Sequence, residues 1–308
     1  MGMALPAAQY RHDADHEVGI GKPEFAAQRA RIRSRSESLH VDAGRTTPAR
    51  LDIAVELAGT FGAHLACLYA VKIEPVPSAA VEAREMLLEA QRRAREESAR
   101  TARQHYDECL RRTGFDRAEW RASAADPLDA VVLHARYADL VVIGQDNPEW
   151  PSGVDKDFER SVPIAVGRPV LVVPYAFERR PVGRRVLVAW NASREAARAV
   201  SDALPLLKRA AHVDVVAFEP ARSGAAHGEE PGADIALYLA RHGVKVTVSR
   251  VDAPDLDVGN QLLSRAFDLS ADLIVMGAWG HSRLRELILG GVTRTLLESM
   301  TVPVLMAH

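Results

Sequence analysis

Tyr137-Ala-Asp-Leu-Val-Val-Ile-Gly144 returns near the end of the chain as Ser270-Ala-Asp-Leu-Ile-Val-Met-Gly277. Each is a short, continuous apolar run closed by glycine, the pattern of a strand covered on both faces. Each is followed by a loop and a second run, Arg168-Pro-Val-Leu-Val-Val173 in one case and Val302-Pro-Val-Leu-Met306 in the other. The starts correspond too. His40-Val-Asp-Ala-Gly-Arg45 parallels Trp190-Asn-Ala-Ser-Arg194, with Asp42 opposite Asn191, and an Ala-rich amphipathic segment follows each. A repeat that recurs at its beginning, middle and end divides the chain into two domains, 38–176 and 183–308.

The second copy shows the element order most clearly. Arg185–Trp190 reads as a strand, Ser193 as the cap of a helix, and Pro205 as a residue that bends or stops that helix. Val213–Phe218 and Val244–Val248 read as strands separated by a helix over 233–241. A helix over 258–269, strand Leu273–Met276, a further helix and strand Val302–Met306 complete the copy. This β-α alternation requires right-handed crossovers, hence α/β: two tandem open, twisted, five-stranded parallel sheets with helices on both faces. In the first copy Thr47 and Pro48 read as an N-cap and first-turn pair, Gly62 as a helix stop, and Val81–Arg112 as one long solvated helix with Glu/Arg pairs.

Two segments stand outside the repeats. Residues 177–182 form a short linker, and the polar, aperiodic residues 1–37 read as a disordered tail. The 308 residues give each copy its own core; 47% are hydrophobic and 26% charged, ordinary values for a soluble chain. A formal net charge of -2 supplies no field toward nucleic acid or an anionic membrane. No apolar run is long enough to span a membrane, and the start shows no secretory signal, so a cytoplasmic location is expected. Cys67 and Cys109 read as buried thiols rather than a disulfide.

The chemistry concentrates in Gly277-Ala-Trp-Gly280-His-Ser-Arg-Leu-Arg-Glu-Leu-Ile-Leu-Gly290-Gly-Val-Thr293, which begins where a central strand ends. Gly277 and Gly280 let backbone N–H groups approach an anion, and Gly290 and Gly291 stand at the start of a helix whose dipole favours phosphate. Val292 follows in that first turn, Thr293 offers a hydroxyl, Arg283 or Arg285 a charge, and His281 a ring nitrogen within the loop. The alternative is that the glycines serve tight turns and close helix packing alone. No metal-ligand spacing and no nucleophile arrangement is present, so no metal and no catalytic site is expected.

Over both repeats the chain resembles the universal stress protein family. Gly277, Gly280 and Gly290 fit the Gly-x2-Gly-x9-Gly spacing of its ATP-binding members, and Pro303-Val-Leu305 fits the strand that follows. The resemblance implies a Rossmann-like, adenine nucleotide alpha hydrolase-like fold and a cytoplasmic stress-response module. It implies ATP, with Mg only alongside it, as cofactor, and adenine nucleotide as partner. Its site would comprise Asn191, Gly277, Gly280, His281, Arg283, Gly290, Gly291, Val292 and Thr293. It also implies pairing of the last strands, so that the domains form a pseudo-dimer, with a homodimer as a further possibility. Three positions depart from the pattern: Gly291 replaces the phosphate-contacting hydroxyl, Trp279 a frequent His, and Asn191 the usual strand-end Asp. In the first copy Asn147 and Asp157 replace two glycines, and Asp146, Glu149 and Asp155 add charge that repels phosphate. That copy reads as degenerate and non-binding. A scaffold that binds no nucleotide is the alternative function, and an enzyme of the same fold a third.

Overall fold

The computed structural model describes residues 35–72, 81–147, 149, 153–219, 232–252, 258–278 and 291–308. The first half contains β1 (Ser36–Val41), α1 (Thr47–Phe61), β2 (His64–Tyr69), α2 (Val81–Thr113), β3 (Ala118–Ala122), α3 (Pro127–Ala135), β4 (Leu140–Gly144), α4 (Phe158–Ala165) and β5 (Val170–Val173). The second repeats the order with β6 (Arg185–Trp190), α5 (Arg194–Leu207), β7 (His212–Glu219), α6 (Ala233–Arg241), β8 (Val246–Asp252), α7 (Val258–Asp268), β9 (Leu273–Gly277), α8 (Gly291–Ser299) and β10 (Val304–Ala307). Most of the expected tail, residues 1–34, lies outside the described residues, and β1 already begins at Ser36.

The two five-stranded sheets are joined edge to edge. The strand order is β3-β2-β1-β4-β5-β10-β9-β6-β7-β8, parallel within each half. At the seam β5 and β10 run antiparallel, with Val172 opposite Val304, Leu171 opposite Leu305 and Val170 opposite Met306. All six residues are buried. Pairing them removes two apolar strand edges that neither half alone could leave in water.

Each face of the sheet carries one apolar layer that runs through both halves. Leu39, Leu51, Leu57, Tyr106, Val188, Leu207 and Leu239 belong to one, under α1, α2, α5 and α6. Ile143, Val162, Val172, Leu262, Ile274, Leu296 and Met306 belong to the other, under α3, α4, α7 and α8. This is why the strands read as unbroken apolar runs rather than alternating ones.

Local chemistry accounts for the boundaries that differ from expectation. β8 begins at Val246 because Val244 completes the C-terminal turn of α6. Gly243 takes φ +79°, its N–H donates to Ala240 O at 2.9 Å, and the Val244 N–H donates to Leu239 O at 3.1 Å. That is the Schellman arrangement, sealed by two buried side chains, Leu239 and Val244. Thr47 is not the cap of α1. Thr46 holds that position, and the Thr47 hydroxyl donates instead to Asp42 Oδ1 at 2.8 Å. Pro205 sits inside the last turn of α5, which continues to Leu207. Gly62 does close α1, at φ +66°. Both cysteines are free and buried.

Candidate functional site

In the second half the chain runs outward from β6 to β7 and β8, then returns to β9 and β10 on the other side of β6. The C-terminal ends of β6 and β9 therefore part, which is where open α/β sheets receive ligands. The register pairs Val188 with Val275, so Trp190 stands level with Gly277 and Asn191 lies just beyond the sheet. Asn191 is exposed, and its Oδ1 accepts the Ser193 N–H at 3.1 Å. Ala192 between them takes φ +56°, a turn that brings Ser193 over the start of α5. The Ser193 hydroxyl accepts the Ala196 N–H at 3.1 Å, capping the helix as expected.

Gly277 is missing its side chain for a local reason. A Cβ there would stand 2.5 Å from Ala196 N and 2.7 Å from Glu195 C, so the first turn of α5 lies directly on the end of β9. Close packing, one of the two roles the sequence allowed, is therefore realised at this glycine. Gly277→Ala forces one backbone away from another, and a loss of about 1–3 kcal/mol is expected, read from the urea midpoint. An unchanged midpoint would mean that the close approach carries no energetic weight.

α8 begins at Gly291, which is exposed, and a Cβ there would have no atom of the described residues within 4 Å. Val292 is half-buried. Thr293 is buried with Leu296 and Leu297 on one face of the helix rather than exposed at its tip. Gly280, His281, Arg283 and Gly290 lie outside the described residues; of the expected site, Asn191 and Gly277 stand at neighbouring strand ends, and Gly291, Val292 and Thr293 form the first turn of α8. A further group at this place escaped sequence reasoning. Glu195 is 3% exposed in the first turn of α5; it pairs with Arg194 through Oε1, while Oε2 has no hydrogen-bond partner among the described residues. Burial pushes its pKa up, but the bond and charge of Arg194, the Glu195 backbone N–H and the charge of His308 together leave the carboxyl below its ordinary range, hence ionised. Its charge complements the helix dipole.

The mirror place in the first half, between β1 and β4, is filled by the protein itself. Asp42 at the end of β1 is 1% exposed and Arg50 in α1 is 2% exposed. Arg50 Nη2 donates to Asp42 Oδ2 at 2.6 Å, and Asp42 Oδ1 accepts the Gly44 N–H at 2.6 Å in addition to the Thr47 hydroxyl. A Cβ on Gly144 would stand 3.0 Å from Arg50 Cζ, so the guanidinium occupies the space beside that glycine. Burial pushes the Asp42 pKa up, and Arg50 overcomes it, leaving the carboxyl below its ordinary range. His40 is packed beneath, 2% exposed, with Nε2 2.8 Å from Ala70 O and its ring 5.0 Å from Phe158. Burial lowers its pKa, so the neutral ring donates to that carbonyl.

Beside this plug lies an open cavity of about 740 Å³. Its wall includes Lys72, Asp126, Asp146, Asp155, Asp157 and Phe158. Lys72 pairs with Asp155, Asp126 caps α3 by accepting the Leu128 N–H at 2.9 Å, and Asp157 pairs with Arg160 at 3.2 Å. Asp146, Asp155 and Asp157 of the first loop thus gather at the cavity together with Lys72 and Lys156, while Glu149 is not part of its lining. No group of three or more His, Cys, Asp or Glu is arranged to hold a metal among the described residues. No helix there is long and apolar enough to cross a membrane.

Sheet order, seam and paired switch points define a doubly wound α/β chain built twice over, with one switch point self-filled. The model of the Universal stress protein family matches residues 183–308, the whole of the second half. No curated protein matches the chain by sequence. A solved universal stress protein from Archaeoglobus fulgidus DSM 4304 is similar over 90% of this chain and 97% of its own, with 16% identity and a TM-score of 0.63. A functionally unknown protein from Pseudomonas aeruginosa PAO1 is similar over 90% of this chain and 94% of its own, at 16% identity and a TM-score of 0.55. At such identities the likeness speaks for the fold. It spans both halves.

Proposed function

We propose that the chain is a tandem universal stress protein: a cytoplasmic stress-response binding module whose second half holds an adenine nucleotide and turns it over slowly or not at all. The observation that carries this reading is the contrast between the switch points. The first is closed by the Asp42–Arg50 pair, whereas the second leaves Asn191 and Gly291 exposed at the strand end and the helix start. The family match to residues 183–308 and the spacing of Gly277, Gly280 and Gly290 support it. In this reading the first-turn N–H groups of α8 receive phosphate and Asn191 meets the nucleoside, with Mg2+ entering only on the nucleotide.

Gly291 supplies the test. Gly291→Ser adds a hydroxyl where a Cβ meets no atom of the described residues, so ATP affinity is expected to tighten about five- to tenfold by calorimetry, the worth of one neutral hydrogen bond. Gly291→Asp adds a charge that repels phosphate yet suits the helix dipole, so binding should weaken while stability holds. A second reading, a scaffold without nucleotide, is favoured by the fully buried β5–β10 seam and by the helix that occupies the space at Gly277. Under it both variants leave the calorimetric trace flat, as does the parent at millimolar ATP.

A further inference from the structure

α8 belongs to the second half, but its far end is held by the first. Gln145, the residue after Gly144, is 5% exposed. Its Nε2 donates to Leu297 O at 2.7 Å, and its Oε1 accepts the Tyr175 N–H at 3.1 Å, so both ends of the amide are fixed. Leu297 O is one of the last-turn carbonyls that a helix cannot satisfy itself. One turn further along the seam, Arg160 of α4 donates from Nη2 to Glu298 Oε1 at 2.9 Å. The same carboxyl oxygen accepts from Arg294 Nε at 2.8 Å, tying the ion pair into α8.

The repeat shows that these ties run one way. Gly144 and Gly277 correspond, and Phe158 and Gly291 follow them at equal spacing as the first residues of α4 and α8. Gln145 therefore corresponds to Ala278, Arg160 to Thr293, and Glu298 to Ala165. The backbone roles match: Gln145 N donates to Val173 O at 2.8 Å, and Ala278 N to Ala307 O at 2.8 Å. The side chains do not. Ala278 has nothing to send to the last turn of α4, and Thr293 with Ala165 makes no ion pair. Between α4, the loop before it and α8, the side-chain hydrogen bonds seen among the described residues thus run from the first half to the second.

We propose that Gln145 and Arg160 are positioning residues for the nucleotide site of the second half. This rests on the reading of that site given above. α8 has nine residues, too few to be stable alone, and six separate Leu297 from Gly291, about 9 Å of helix. Fixing the last turn therefore fixes the direction in which the first-turn N–H groups point. A ligand that needs α8 in place binds with an affinity scaled by the fraction of molecules that have it there. The half whose own switch point holds the Asp42–Arg50 pair thereby sets the affinity of the other.

The experiment compares Gln145→Ala, Gln145→Glu and Arg160→Ala in the full chain by amide hydrogen exchange and by calorimetric titration with ATP. Glutamate keeps the acceptor for Tyr175 but loses the donor to Leu297, so it separates the clamp from the local fold of the loop. Both Gln145 variants are expected to speed exchange selectively in residues 295–299 and to weaken ATP about three- to tenfold. Arg160→Ala, removing a partly exposed pair, should weaken it about twofold. Unchanged α8 exchange in both Gln145 variants overturns the clamp, as does a silent Gln145→Glu beside an affected Gln145→Ala. Faster exchange in a protein whose parent takes up no ATP overturns the nucleotide reading, and the positioning role with it, while leaving the contact itself demonstrated.

Discussion

Arg50→Ala is expected to destabilise the protein by about 3–5 kcal/mol, measured by urea unfolding at neutral pH. The substitution leaves the buried Asp42 carboxyl without its counter-charge, so the fold must either hold an unpaired charge or take up a proton at neutral pH, and the two remaining donors, Gly44 N–H and the Thr47 hydroxyl, do not make up the difference. Most of the loss is the cost of an unpaired buried charge, so removing the charge as well should restore stability. Asp42→Asn with Arg50→Met keeps the Oδ1 acceptor and fills the space beside Gly144 with an unbranched apolar chain. The double variant is expected within about 1–2 kcal/mol of the parent. The pair also has a pH signature. Asp42, held below its ordinary range, contributes stability that is present above about pH 4 and is lost as pH falls through its folded pKa. A loss under 1 kcal/mol in Arg50→Ala would show that the guanidinium is not what closes this switch point.

Stability should also fall as pH rises through the neutral range, and Glu37 is the reason. It lies in β1, 4% exposed, and burial raises its pKa from 4.5 to about 8, with Arg35 opposing and Asp139 adding to the rise. A carboxyl protonated in the fold and ionised in the unfolded chain binds more protons when folded. Its contribution is therefore complete below about pH 4.5 and is lost as pH rises toward 8. Glu159, raised by burial to about 7, acts in the same direction over a narrower range. His40 acts oppositely: a base with a lowered pKa adds stability as pH rises through 6.5. Between pH 7 and 8 Glu37 is left to dominate, with about 1 kcal/mol expected to be lost over that unit because the folded carboxyl is itself half ionised by pH 8. Glu37→Gln should flatten that slope and raise the urea midpoint at pH 9. An identical slope in the variant would show that the proton is taken up elsewhere.

Much of this architecture was written in local pattern. Arg185–Trp190 and Ala233–Arg241 fall where apolar runs and helical spacing put them, because a doubly covered strand and an amphipathic helix each leave their own period in the sequence. β8 was misplaced by two residues because Val244 is apolar for the sake of a helix cap rather than a strand. The site was legible only in its glycines. Gly277 announces a close approach, but that α5 is what approaches is a tertiary fact. Arg50 did leave a signal. It lies on the α1 stripe that includes Thr47, Ala54 and Leu57, where a charge implies a buried partner. Gln145 and Glu195 left none. A glutamine beside a strand end and a glutamate in a helix's first turn are ordinary until the fold shows what surrounds them.

On the proposed reading, two copies of one fold carry one nucleotide site between them. Calorimetric titration of the full chain with ATP reads this directly as a stoichiometry. One equivalent per chain is expected, unchanged in stoichiometry by Asp42→Asn with Arg50→Met and weakened by Gly291→Asp. Two equivalents, or one that survives Gly291→Asp unaltered, or no heat at millimolar ATP, would contradict it.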